Sequence, residues 1–173
     1  MAKFHVIAYP QFSNEDYKKI QASRKKEDRL YSDIEPHFTF VFAVLDFSEA
    51  DFVAEIKKQL QGIETFSFVL RCAVVNKDSF SDYYFALLVP DEGYSKIIKL
   101  HDKLYNDELF YHRRLDIDYI PHIEIANSRD KMHIKSIVDE WNNADFEIKG
   151  NVSSIEIVNY ENRVLTTIEK IEF

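Results

Sequence analysis

The strongest constraint in this chain is a phrase that occurs twice. Pro36-His37-Phe38-Thr39-Phe40 and Pro121-His122-Ile123-Glu124-Ile125 stand about half a chain apart, and each opens an alternating apolar run. Alternation of period two marks a strand whose successive side chains point to opposite faces. His37 and Thr39 therefore share one strand face, as do His122 and Glu124. A duplicated strand with a histidine at its head predicts two similar lobes, each supplying one imidazole to a shared cleft. Imidazole titrates closest to neutral pH, so two in one cleft suggest an acid and a base.

The elements around the two phrases also repeat in outline. Residues 4–9 read as a strand stopped by Pro10, and Ser13 and Asn14 suit the cap of a helix starting near Glu15. The stripe of that helix runs from Tyr17 and Ile20 onto Arg24 and then Glu27 or Asp28, putting charge where core is expected. A strand over 37–45 follows. The next helix has Ser48 and Asp51 at its cap, Phe52, Ile56 and Leu60 on one face, and Gly62 at its end. Residues 66–75 and 83–89 predict a hairpin, and Pro90 and Gly93 close the first half. In the second half, Ile97, His101 and Leu104 mark a helix, His122 opens a strand, and Ile134, Ile137, Val138 and Trp141 mark another helix. Two last strands are expected over 146–158 and 164–173, with 159–162 as the turn. No Gly/Ser-rich linker separates the halves, and the chain has only three glycines, so the lobes are expected to be rigidly joined. The expectation is an α+β fold in one bilobal domain over 1–173, with approximate repeat halves 1–90 and 91–173. Each of two pseudo-symmetric lobes is an antiparallel sheet with outer helices, and the lobes flank a central cleft.

Charge narrows the choice of ligand. A formal net charge of -8 opposes diffuse binding of long nucleic acid, which leaves a nucleotide or a short nucleic-acid end as the expected partner. The single cysteine, Cys72, excludes an internal disulfide framework and reads as a buried, inert thiol. The stretch from Met1 to His5 has no long apolar run, and no later segment has the length needed to cross a bilayer, so no membrane partner is expected and the cytoplasm is the default compartment.

The two phrases resemble the paired His-x-Thr/Ser-x tetrads of the 2H phosphoesterase superfamily, which includes 2'-5' RNA ligase-like proteins and cyclic phosphodiesterases. His37-Phe38-Thr39-Phe40 fits the pattern fully. His122-Ile123-Glu124-Ile125 keeps the histidine but has Glu124 in place of the hydroxyl residue. The stretches 23–28 and 158–162 further resemble the small bacterial YjcG-like branch. The resemblance implies hydrolysis or transfer at a 2',3'-cyclic phosphate or a 2'-5' linkage of a small nucleotide or RNA end. His37 and His122 would be the catalytic pair, with no cofactor.

The chemistry has physical reasons for these residue types. One proton must leave the attacking water and another must reach the departing ribose oxygen, so one imidazole has to be neutral and the other charged. Thr39 is expected to donate to a non-bridging phosphate oxygen. An inward Arg24 is expected to fork onto the phosphate, or else to snorkel past the core edge. An ionised Glu124 about 4 Å from a phosphate oxygen would be repelled by on the order of 4 kcal/mol at an effective dielectric of 20, so it must be compensated. An imidazole, a cleft Arg or Lys, or a sugar hydroxyl would serve. Two rival readings stay open: a non-catalytic module binding a nucleotide or RNA end, and a zinc or manganese site built from His37, His122 and Glu124, whose spacing fits no metal motif. His101 reads as a core group, His5 as a cleft or packing group, and His112, His133, Arg113 and Arg114 as solvated.

Overall fold

The computed structural model describes residues 3–173; Met1 and Ala2, the start of the N-terminal stretch read above, lie outside the described residues. The chain runs β1 (Phe4–Ala8), β2 (Gln11–Phe12), α1 (Asn14–Glu27), β3 (Phe38–Val44), α2 (Glu49–Gln59), β4 (Phe66–Lys77), β5 (Tyr84–Glu92) and α3 (Tyr94–Leu104). A 3-10 helix (Asp107–His112), β6 (Ile123–Ser128), α4 (Lys131–Asn143), β7 (Ile148–Val152), β8 (Ser154–Glu161) and β9 (Val164–Glu172) complete it. The strands make two antiparallel sheets, ordered β3-β1-β8-β9 and β2-β7-β4-β5-β6, with α1 and α4 packed on the second and α3 touching both. This is the expected α+β architecture of two sheets.

Local chemistry sets the helices where their caps predict. Ser13 Oγ accepts from the Asp16 amide and Ser48 Oγ from the Asp51 amide, each at 3.1 Å, which supplies donors at helix starts with a partner. Phe52 and Ile56 on α2, Ile97 and Leu104 on α3, and Ile134 and Trp141 on α4 are buried, as their spacing requires. One apolar core runs through both sheets. Phe38, next to His37, meets Phe68 edge to face at 4.9 Å between ring centroids.

Neither sheet coincides with one half of the chain. β1 and β3 pair with the late strands β8 and β9, whereas β4 and β5 share a sheet with β6 and β7. Each half thus gives its strand pair to the sheet that holds the other half's histidine strand. The single strand expected over 146–158 is in fact two, parted at Ser153 and belonging to different sheets. Burial shows the break: Ile148, Gly150 and Val152 point inward, and after Ser153 and Ser154 the inward positions shift to Ile155 and Ile157. The hairpin turn lies at Asn162 and Arg163, with φ of 54° and 63°, so β8 continues to Glu161. β5 also runs through Pro90, at a place where its register with β4 slips.

Two of the chain's crossings between the sheets, β1 to β2 and β7 to β8, are direct and lie side by side. β1 pairs with β8 on one side of the passage (Ile7 opposite Glu156), and β2 with β7 on the other (Gln11 opposite Asn151). Gly150, opposite Phe12, is required there, because a Cβ on it would lie 2.4 Å from Cζ of Phe68.

Candidate active site

His37 and His122 each stand one residue before a strand, β3 in one sheet and β6 in the other. Each ring turns Nδ1 back to the carbonyl two residues earlier, His37 to Glu35 O at 2.8 Å and His122 to Ile120 O at 2.6 Å. A carbonyl only accepts, so Nδ1 carries the proton in both rings, and Nε2 holds the free lone pair of the neutral ring. The residue between is a buried proline in each case, Pro36 or Pro121, whose fixed φ sets the same turn twice.

Two adjoining cavities hold these groups. His37 and Thr39 line one of about 200 Å³, largely apolar, together with His5, Ile34 and Tyr160. His122 and Glu124 line the other, about 210 Å³, together with Asp78, Phe80 and Asp118. Phe42 forms a wall of both.

Crowding by protein shapes the electrostatics. His37 retains some exposed surface, yet desolvation lowers its pKa to about 4, and the charges of His122, Arg24 and His5 push the same way against its backbone hydrogen bond. Burial also lowers His122, again opposed by its backbone bond. His5 is lowered to about 4 by burial and by Lys3. Glu124 moves the other way, up to about 7, through burial first and then the negative charge of Asp28; Asn127, Arg24 and Arg29 oppose this.

Arg24, expected at the phosphate, lines neither cavity. It is 2 % exposed and bonds Asp28 Oδ2 through Nε at 2.8 Å, Ile34 O through Nη2 at 2.6 Å and Gln21 Oε1 through Nη1 at 3.2 Å. The charged stripe on α1 is therefore an internal ion pair one turn long, and it ties the segment leading to His37 onto the helix. Snorkelling is equally absent. The partner of Glu124 is neither an imidazole nor a cation but an amide: Asn127 Nδ2 donates to Glu124 Oε1 at 2.5 Å and to Asp28 Oδ1 at 2.7 Å.

Three further groups hold β3 in place. His101, buried as expected of a core residue, meets Phe40 O through Nδ1 at 2.7 Å; Tyr119 donates to Thr39 O at 2.9 Å, and the Phe42 amide donates to Tyr105 Oη at 2.9 Å. Tyr105 continues the apolar stripe of α3, but Tyr119 sits in an irregular segment and carries no periodic signal. The remaining groups stand apart from the cavities: His112 packs on Phe47, His133 meets Glu27, Arg113 pairs with Asp102, and Arg114 with Asp116. Cys72 is half-buried rather than buried, and desolvation first and then the charge of Asp91 raise its pKa, as suits an inert thiol. Among the described residues no three of His, Cys, Asp or Glu are grouped to hold a metal ion, and no helix is long and apolar enough to cross a membrane.

Known proteins share this arrangement at the level of fold. Residues 10–163 match the family model of the 2'-5' RNA ligase superfamily. No curated protein matches the sequence. Among solved structures, E. coli LigT complexed with 3'-AMP superposes with a TM-score of 0.60 at 12% identity, over 99% of this chain and 98% of that one. TT0787 of Thermus thermophilus gives 0.59 at 14% identity over 98% and 97%. Kluyveromyces marxianus Usb1 gives 0.56 at 9% identity over 96% and 97%. With nine-tenths of its length inside the family match, the chain belongs to the 2'-5' RNA ligase superfamily.

Proposed function

From membership of the 2'-5' RNA ligase superfamily, we propose that this chain is a phosphoesterase acting at a 2',3'-cyclic phosphate or a 2'-5' linkage of a small nucleotide or RNA end. The observation that carries the reading is the matched pair of imidazoles, each with Nδ1 fixed to a backbone carbonyl and each bordering a cavity that Phe42 walls. One Nε2 takes a proton from water as its oxygen bonds to phosphorus. The other gives a proton to the ribose oxygen as the old P–O bond breaks. Burial disfavours the charged form of both histidines, and the negative charge of the incoming phosphate favours it, so one of them takes up a proton as the substrate binds. Thr39, two residues past His37, donates to a non-bridging oxygen. The 3'-AMP held by LigT supports a nucleotide as ligand, and the net charge of -8 supports a short one. No step in this scheme uses a metal.

The test is incubation with nucleoside 2',3'-cyclic phosphates and 2'-5'-linked dinucleotides in the presence of EDTA, followed by 31P NMR. Ring-opened or cleaved monophosphates are expected. A protein that gains thermal stability from these nucleotides but leaves them intact would instead be a binding module.

A further inference from the structure

We propose that Glu124 works as a protonated carboxylic acid, donating to the substrate phosphate the hydrogen bond that Thr39 donates from the other strand. The inference rests on the phosphoesterase reading and adds to it the source of the second donor. Glu124 and Thr39 hold equivalent places, two residues past a histidine, and line cavities that meet at Phe42. An ionised side chain at this place would repel the phosphate, whereas a neutral acid is a donor.

The surroundings hold Glu124 in that form. The single amide nitrogen of Asn127 bridges Glu124 Oε1 and Asp28 Oδ1, so a second carboxylate stands one amide away. Asp28 is the carboxylate with the ion pair, 2.8 Å from Arg24, and it also accepts from the Leu30 amide at 2.8 Å. Two carboxylates sharing one amide, Asp28 buried and Glu124 half-buried at the cavity wall, do not both ionise readily, and the unpaired one takes the proton. The pKa of Glu124, raised to about 7 by burial and by Asp28, agrees. Oε1 is occupied by Asn127, which leaves Oε2 as the donor atom. The other charged or titratable groups around it are Arg24 and Arg29 at the end of α1, Asp78 and Asp118 across the cavity, and His122 on its own strand. The two arginines favour the ionised form, but burial outweighs them.

Sulfate binding, followed by isothermal titration from pH 5.5 to 8.5, tests this. Sulfate carries no titrating proton in that range, and the histidine pKa values lie below their ordinary value. Affinity of the unaltered protein is expected to fall roughly tenfold or more between pH 7 and 8.5 beyond any fall in the Glu124→Gln variant, with uptake at the upper end of one proton more than that variant takes up. Glu124→Gln, which keeps a donor but cannot ionise, is expected to show a shallower fall, only the part that comes from the histidine protonated by the bound anion, and to bind more tightly than the unaltered protein at pH 8.5. Glu124→Thr serves as the second variant, with the same expectation. Equal pH slopes in the unaltered protein and either variant would overturn the proposal and leave the phosphoesterase reading standing. If the slopes differ as expected while cyclic nucleotides are never turned over, the donor role of Glu124 holds and the enzymatic reading fails.

Discussion

The rings of His101 and Tyr119 lie face to face, 3.5 Å between centroids and 7° from parallel, and both reach the open edge of β3. β3 has a strand neighbour on one side, β1. On the other side, backbone groups of Thr39, Phe40 and Phe42 find their partners in Tyr119, His101 and Tyr105. Side chains from α3 and the segment before β6 thus stand in for a missing strand, and they fix the backbone that carries Thr39.

Loss of this edge support should be measurable by urea denaturation. Tyr119→Phe removes one hydrogen bond and is expected to cost about 1 kcal/mol. His101→Ala leaves the buried Phe40 carbonyl without its partner and is expected to cost about 1–3 kcal/mol.

If His37 and His122 are the proton carriers proposed above, removing either should end turnover and spare the fold. His37→Ala and His122→Ala are each expected to lower kcat by about 100-fold or more on a 2',3'-cyclic nucleotide. A variant that keeps most of its rate would take that histidine out of the mechanism.

Acid should unfold the protein over a defined window. The pKa values of His5 and His37 fall from 6.5 to about 4 on folding, so the unfolded chain binds more protons in between. Their stabilisation is complete above pH 6.5 and is lost as pH falls to about 4. The variant with both His5→Gln and His37→Gln is expected to show a shallower decline of Tm over that range. Glu124 has the opposite sign: its pKa rises from 4.5 to about 7, so its contribution is full below pH 4.5 and is lost as pH rises through 7. Glu124→Gln should therefore gain stability relative to the unaltered protein between pH 5 and pH 8.

The buried pair of Arg24 and Asp28 should be far more sensitive to removal of one member than of both. Arg24→Ala leaves an unpaired buried carboxylate and is expected to destabilise by about 3–5 kcal/mol. The double variant with Arg24→Met and Asp28→Leu should recover part of that loss in the same denaturation experiment, which a purely steric role for Arg24 does not predict.

Gly150→Ala forces a methyl against the ring of Phe68, itself packed on Phe38 beside His37. An expected loss of about 1–3 kcal/mol is checked by thermal unfolding.

The sequence made the strand heads, caps and apolar helix faces legible because each depends on neighbours in the chain. Ser13, Ser48 and the two Pro-His phrases are of this kind. What depended on distant partners was not. The stripe of α1 sets Arg24 and Asp28 one turn apart, but the turn of Arg24 toward Ile34 O and the burial of the pair depend on segments outside the helix. Asn127 carried no signal, since its role exists only where β6 meets the end of α1. The division of 146–158 at Ser153 did leave a trace, the shift of inward positions from even to odd numbers, but which sheet each piece joins is decided by β1 and β2.

The double passage of chain between the sheets turns the gap between His37 and His122 into a fixed gauge. Strands are hydrogen-bonded together on both sides of the passage, so the two sheets have no free joint about which to swing like jaws. The remaining walls come from the segment bearing Leu30 and Ile34 in one cavity and from that bearing Asp78 and Phe80 in the other. Under the proposed phosphoesterase reading, such a frame would measure what enters it: a terminal or monomeric phosphoester would slide in from the edge, and a continuous polymer would need the frame to open around it.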